Sequence, residues 1–267
     1  MIVFPNAKIN IGLNIVARRN DGYHNLESFF YPVNLTDALE MAVTGKSGIT
    51  CSGIPVDGPP DNNLVIKAYQ LLKTEFQLPP VQFHLHKGIP SGAGLGGGSS
   101  DAAFTLKMLN QFFHLNLNAE KLENYAAYLG ADCPFFIKNI PAFASGKGDI
   151  LSPAHLDLSQ FKLVIIKPDI AVNTAQAYKN VTPEIPGFSL IELSNHPVPH
   201  WKNFVKNDFE KSVFSQFPEI EMWKNKLYEL GAVFASMSGS GSAVYGFFQA
   251  FPPDLNNKIP KSILFTL

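Results

Sequence analysis

Cysteine is nearly missing from this chain. Cys51 and Cys133 are the only two, too few and too widely separated for a disulfide framework or a thiolate metal site, so a reducing, cytoplasmic setting is expected. Long apolar runs are missing as well: nothing approaches the roughly 18 consecutive residues that a membrane span needs. The opening Met-Ile-Val-Phe-Pro-Asn-Ala-Lys has no basic stretch followed by an apolar one, so export and membrane embedding are not expected. Charge is sparse and balanced, with 21 Lys plus Arg against 22 Asp plus Glu and a net charge of -1. The longest basic run is Arg18-Arg19, which gives no footprint for nucleic acid and leaves a small molecule as the expected partner.

What is present is a folding composition, 46% hydrophobic and 12% aromatic over 267 residues. That length suits one large domain or two modest ones, and two compact halves are expected, 1–152 and 153–267. Ala7, Ile9, Ile11, Leu13 and Ile15 alternate with Lys8, Asn10, Gly12 and Asn14, which predicts a half-buried strand; a surface strand with a polar outer face is an equal reading of the alternation, against which stands Gly12 in mid-strand, a mark of close approach by a ligand or another backbone. A second alternating run, Val81 to His86, leads into a glycine loop. Asp101 to Phe113 then repeats apolar residues at helical spacing, with Ser99 or Ser100 as the expected cap. Asn118 is expected to cap a further helix that Gly130 closes. Phe143 to Leu158 reads as hairpin and loop, and Leu163 to Ile166 as a strand. Trp201 to Phe214 and Glu219 to Leu230 read as helices, and Val233 to Ser238 as a strand before a glycine-serine turn. Strands and helices mixed without regular alternation predict an α+β fold.

The most informative segment is Pro90, Ser91, Gly92, Ala93, Gly94, Leu95, Gly96, Gly97, Gly98, Ser99, Ser100. Five glycines in seven residues, between a strand and a helix, exceed what a tight turn needs. Such a run lets successive backbone N–H groups converge, and the helix N-terminus adds positive potential at the same point. Both features make a phosphate cradle. Gly92 to Gly97 matches the dinucleotide fingerprint literally, but no second strand ending in an acidic residue follows. The Walker pattern fails because Gly98 stands where its lysine should be.

Phosphoryl transfer needs the phosphates held, the accepting hydroxyl deprotonated and the charge compensated. Asp132, just past a helix end in the apolar context Gly-Ala-Asp-Cys-Pro-Phe-Phe, is the candidate base, although a capping aspartate before proline is an equal reading of the residues alone. Lys8 is the candidate cation beside it. His84-Leu85-His86 places two imidazoles on one strand face without a third ligand at recognisable spacing, so no protein metal site is expected.

The run from Pro90 through Ser99-Ser100-Asp101-Ala102-Ala103 resembles the phosphate loop of the kinase superfamily named for galactokinase, homoserine kinase, mevalonate kinase and phosphomevalonate kinase. Three more segments, Pro5 to Asn10, Arg18 to His24 and Gly130 to Phe136, resemble the branch of that superfamily acting on a cytidine-diphosphate-linked methylerythritol. Asn207 to Glu210 and Met237 to Gly241 extend the resemblance into the second half. It implies a two-domain α+β kinase: an N-terminal ATP-binding domain of the ribosomal-protein type with a left-handed βαβ unit, a C-terminal ferredoxin-like domain, and an active site between them.

The same resemblance implies that Asp132 is the general base with Lys8 as its partner, and that Pro90 to Ser100 and Asn63 bind ATP. Asn10 would bind the erythritol side, and Tyr23, His24 and Tyr178 the cytosine. Mg2+ would arrive with ATP, touching Ser100 at most, in a monomer or weak dimer. Cys133, where the family commonly has valine, and Ala144 to Asp149 depart from the family pattern. Two rivals stay open at this point: another small-molecule kinase of the superfamily, and a nucleotide-binding module without catalysis.

Overall fold

A computed structural model describes residues 1–56, 58–178 and 181–267 of the chain. The chain divides into two compact units, each assembled from separate stretches. The first comprises Met1–Lys8, Pro32–Ser91 and Gly96–Ile140, and the second Ile9–Tyr31, Gly92–Leu95 and Pro141–Leu267. Strands and helices are mixed in both, as the α+β reading expected.

The first unit carries a four-stranded sheet in the order Ile2–Val3, Ala38–Val43, Val81–Lys87, Gly48–Gly53. The last two strands run parallel and are joined through the helix Leu64–Phe76, a βαβ unit. Leu39 pairs with Leu85 and Met41 with Phe83, so one sheet face is apolar, while His84 and His86 point to the other, as period-2 alternation requires. The helices Leu64–Phe76 and Gly97–Phe112 pack on each other, their Tyr69, Leu72, Ala103 and Leu106 fully buried, and Tyr69 meets Phe83 of the apolar face at 5.8 Å between ring centres. The helix Ala119–Leu129 follows, and Asn118 caps it by accepting from Lys121 N at 2.9 Å.

In the second unit all strand pairs with a defined register are antiparallel. One sheet has the order Asn6–Arg18, His24–Thr36, Ala142–Ser145, Ile150–Pro153, its first two strands belonging to this unit from Ile9 on and up to Tyr31, and the other Phe234–Met237, Val244–Phe248, Lys162–Ile166, Leu264–Thr266. The helices Phe209–Gln216 and Pro218–Glu229 cover the second sheet through Phe209, Val213, Ile220 and Leu227. Among the described residues no helix is long and apolar enough to cross a membrane.

Two sequence expectations need correction, and one reading left open is decided. The strand Asn6–Arg18 carries a buried polar face, not a surface one: Lys8, Asn10 and Asn14 are each 3% accessible. Alternation reports that two faces differ, and a buried polar face has the same pattern as a wet one. The loop helix begins at Gly97, with Gly96 in the left-handed region as its cap, instead of at the serines. Finally, Trp201 to Phe214 is not one helix. It splits into the 3-10 turn Val198–Asn203 and the helix Phe209–Gln216, because the stretch between them is drawn into pairing with Leu13. Leu13 N donates to Lys206 O, Asp208 N donates to Leu13 O, and Ile15 N donates to Asp208 Oδ2 at 2.7 Å.

Candidate active site

The glycine loop leaves the strand Val81–Lys87 and turns through three left-handed glycines, Gly92, Gly94 and Gly96, at φ of 62°, 75° and 71°. An L side chain is strained there, so glycine is required and its backbone N–H groups can be directed to one place. The tip is also crowded. A Cβ on Gly94 would collide with the carbonyl oxygen of Ser238. Ser238 Oγ donates to Gly94 O at 2.7 Å and accepts from Asn10 N at 3.1 Å. Ala243 N adds a bond to Ala93 O at 3.2 Å. Thus Asn10 and Ser238 hold the loop tip in place, and Ser238 is a site residue that the sequence reading missed. Its signals were its place beside the glycine-serine turn and within Met237 to Gly241, a segment that carries the family resemblance.

Beyond the tip the chain enters the helix Gly97–Phe112. Ser100 N already donates to Gly96 O, which leaves the N–H groups of Gly97, Gly98 and Ser99 for a ligand. Ser100 Oγ is fully buried and has no hydrogen-bond partner among the described residues. These features fit a bound triphosphate and its counter-ion: backbone donors, a helix dipole and one orphaned hydroxyl.

Lys8 and Asp132 come together as the sequence reading expected, with Nζ 3.4 Å from Oδ2. The two differ sharply in access. Lys8 is 3% exposed and Asp132 35%, so the carboxylate can be reached by a substrate while the ammonium stays behind it. Gly96 is the contact between this pair and the loop, since a Cβ there would come within 2.9 Å of Phe136 Cζ and 3.2 Å of Lys8 Cγ. Next to Asp132, Cys133 is buried and its thiol is pushed up to about 11, by burial first and by the Asp132 charge in addition. The thiol therefore stays protonated near neutral pH and adds no charge beside the carboxylate.

Asn63 has a structural task, capping the helix Leu64–Phe76 by accepting from Val65 N at 2.9 Å. It also lines a cavity of about 180 Å³ with Val56, Asn62, Leu64, Ser91 and Gly98. That cavity adjoins the loop, since Ser91 and Gly98 line both.

In the second unit His24 and Tyr178 are brought together, their rings stacked with centroids 5.0 Å apart and planes inclined at 19°. Phe209 meets Tyr178 edge-on at 4.7 Å and holds it upright. The spacing leaves no room for a third ring between them, so any further ring would have to add to the stack or part it. Tyr23 is 61% exposed, with the Lys147 ammonium 4.9 Å from its ring centre. Asn10 donates through Nδ2 to Ser28 Oγ at 2.8 Å, and Tyr245 OH donates to Asn10 O.

A phosphate loop, an accessible carboxylate backed by a buried lysine, and an α+β scaffold define a small-molecule kinase. The family of GHMP kinases matches this chain twice, its N terminal domain over residues 63–147 and its C terminal domain over residues 194–257. A protein of Bacteroides fragilis called 4-diphosphocytidyl-2-C-methyl-D-erythritol kinase is 58% identical over 93% of this chain and 92% of its own. Relatives of the same name from Parabacteroides distasonis, 53% identical over 93% and 92%, and Cytophaga hutchinsonii, 46% identical over 94% of each, extend the match. A crystal structure of 4-(cytidine 5'-diphospho)-2C-methyl-D-erythritol kinase is 32% identical, with a TM-score of 0.80 over 100% of this chain and 98% of that one. A mevalonate kinase at 14% identity and a TM-score of 0.66 shares the fold alone. The chain belongs to the 4-diphosphocytidyl-2-C-methyl-D-erythritol kinase family of the GHMP kinases.

Proposed function

We propose that this protein transfers the γ-phosphoryl group of ATP to the 2-hydroxyl of 4-diphosphocytidyl-2-C-methyl-D-erythritol, a step of non-mevalonate isoprenoid synthesis. The observation that carries the reading is the Lys8–Asp132 pair set against Gly96 of the phosphate loop. It supports the reading because a carboxylate held there could accept a proton beside backbone N–H groups that could hold phosphate.

In this reading the N–H groups from Gly92 to Ser99 hold the phosphates, and Asn63 lies at the adenosine side. Asp132 takes the proton of the attacking hydroxyl as the oxygen bonds to phosphorus and ADP leaves. Lys8 keeps the carboxylate oriented and compensates the charge that develops on the acceptor oxygen. Asn10 positions the erythritol side, and Tyr23, His24 and Tyr178 take the cytosine. Mg2+ bound with ATP would neutralise charge on the phosphate oxygens, and Ser100 Oγ, orphaned in its burial, is the side chain that would hold it. The same reading has the protein acting in the cytoplasm as a monomer or weak dimer, with no membrane or nucleic-acid partner.

The test is ADP release with ATP, Mg2+ and the cytidyl-diphospho-methylerythritol, run beside galactose, homoserine and mevalonate. Turnover confined to the cytidine compound is expected. Turnover with another acceptor would overturn the assignment of Tyr23, His24 and Tyr178 while keeping the kinase. Absence of turnover with all four would leave a nucleotide-binding module.

A further inference from the structure

Beneath the phosphate loop lies a buried ion cluster that the reaction as described does not use. Asp37 is 1% exposed, Lys87 4% and Asp101 3%. Lys87 Nζ donates to Asp37 Oδ2 and, at 2.7 Å, to Asp101 Oδ2. The other oxygen of Asp37 accepts two backbone bonds, from Gly88 N at 2.7 Å and Ile89 N at 2.8 Å. Gly88 and Ile89 are where the chain enters the loop, and Asp101 lies in the second turn of the helix by which it leaves. One ammonium thus connects the carboxylate that fixes the start of the loop to a carboxylate anchored at its end.

Burying three charges is costly, and a hydrophobic trio of similar volume would often be at least as stable. Fold stability alone therefore does not account for the cluster. The cluster is also incomplete: among the described residues Asp101 Oδ1 is buried without a hydrogen-bond partner, as is the neighbouring Ser100 Oγ. Nor is it remote from the site, because Lys87 and Asp101 form part of the wall of the cavity lined by Asn63, Ser91 and Gly98. A Cβ on Gly97, the first helical residue, would come within 3.4 Å of Lys87 Nζ.

We propose that Asp37, Lys87 and Asp101 form a strut that holds the two ends of the phosphate loop at the separation ATP requires, making them positioning residues for nucleotide binding. The proposal rests on ATP occupying this loop. The physical reason is preorganisation. Converging N–H groups repel one another when no anion is present, and a loop free to relax must be re-ordered on binding, at a cost taken from affinity. The strut prevents that relaxation without any contact between its side chains and the acceptor, so its loss should fall on ATP and spare the acceptor.

The experiment compares wild type, Asp101→Asn and Lys87→Met by steady-state kinetics with each substrate varied, by direct ADP binding, and by hydrogen exchange of the backbone amides without ligand. Asp101→Asn keeps the shape and an acceptor for Lys87 while removing the charge, and is the variant expected to fold. For it we expect KM for ATP and Kd for ADP to rise about tenfold, the scale of one charged hydrogen bond. The KM of the cytidine substrate should stay within twofold, and exchange should accelerate at residues 88–98 but not in the strand Lys162–Ile166. Lys87→Met, if folded, should show the same split more strongly. Wild-type affinity for ADP in folded Asp101→Asn overturns the strut, and so does equal loss on both substrates. Global unfolding of Asp101→Asn also overturns it, since the cluster would then be core structure only. A wild-type protein that binds neither ATP nor ADP defeats the ATP reading itself, a separate outcome.

Discussion

The Lys8 ammonium lies 3.4 Å from Asp132 Oδ2, and the hydrocarbon stem of the same lysine closes against Gly96 of the phosphate loop. One buried side chain therefore touches both the proposed base and the phosphate site. Asp132→Asn removes the proton acceptor while preserving shape. Turnover should fall by about a hundredfold or more, the scale of general-base catalysis, while Kd for both substrates stays within a few-fold. Unchanged turnover would take Asp132 out of the mechanism.

Gly96→Ala tests the contact from the other side. At φ of 71° an alanine is strained by about 1–3 kcal/mol, and its methyl group would press on Phe136 and on Lys8. A substitution that only weakened phosphate binding would raise KM for ATP. Because Lys8 is displaced here, kcat should fall as well. Gly98→Ala is the control: its Cβ would meet only Leu64 Cδ1 at an ordinary 3.6 Å, and kcat should be preserved. Equal kcat in both variants would refute the coupling.

How much of this was legible in the sequence depends on what each signal reports. The loop was legible, because five glycines between strand and helix have few other physical uses, and Asn118 was legible as a cap because capping is local. The depth of Lys8 and Asn10 was not. A strand with polar residues on one face reads the same whether that face meets water or a buried network, and only packing decides between them. The break between Asn203 and Phe209 was equally hidden. Helical spacing continues through it, and the bonds to Leu13 and Ile15 that interrupt it come from a strand almost 200 positions away in sequence. The Asp37–Lys87–Asp101 cluster joins residues far apart in the chain, and no spacing rule marks them as neighbours. Tyr178 lies far from His24 in sequence, and stacking on it could be expected only through the family resemblance.

The stack itself supplies a further prediction. With His24 and Tyr178 5.0 Å apart, a cytosine gains one aromatic face by adding to the pair or two by parting it. Tyr178→Ala should weaken binding of the cytidine substrate by about 1–3 kcal/mol, the value of base–aromatic stacking, and leave KM for ATP unchanged. Isothermal titration with CDP reads this without turnover. Unaltered CDP affinity would remove Tyr178 from the cytosine site.

The pH dependence of stability offers a reading of the buried cluster that does not depend on activity. Burial raises the Asp101 carboxyl to about 7, with the Asp37 charge adding to the shift and Lys87 opposing it. Lys87 is drawn down by its own burial, yet the charges and hydrogen bonds of Asp101 and Asp37 outweigh this and leave it above the ordinary lysine value. Cys51, whose thiol is raised by burial and by Asp101, is a further titratable group that feels the cluster. The folded pKa of Asp101 exceeds its unfolded value, so the native state binds more protons than the unfolded state between the two. Stability from this group is therefore complete below the unfolded carboxyl range and declines as pH rises through about 7. The Lys87 contribution persists over that window and is lost only above the ordinary lysine range, because its shift is upward. Thermal melts of wild type should thus show Tm decreasing between about pH 4 and 7 and levelling above it, and Asp101→Asn, which cannot titrate, should flatten that part of the profile. An identical slope in the variant would show that Asp101 keeps its charge throughout, with the Lys87 ammonium strong enough to hold two carboxylates ionised at once.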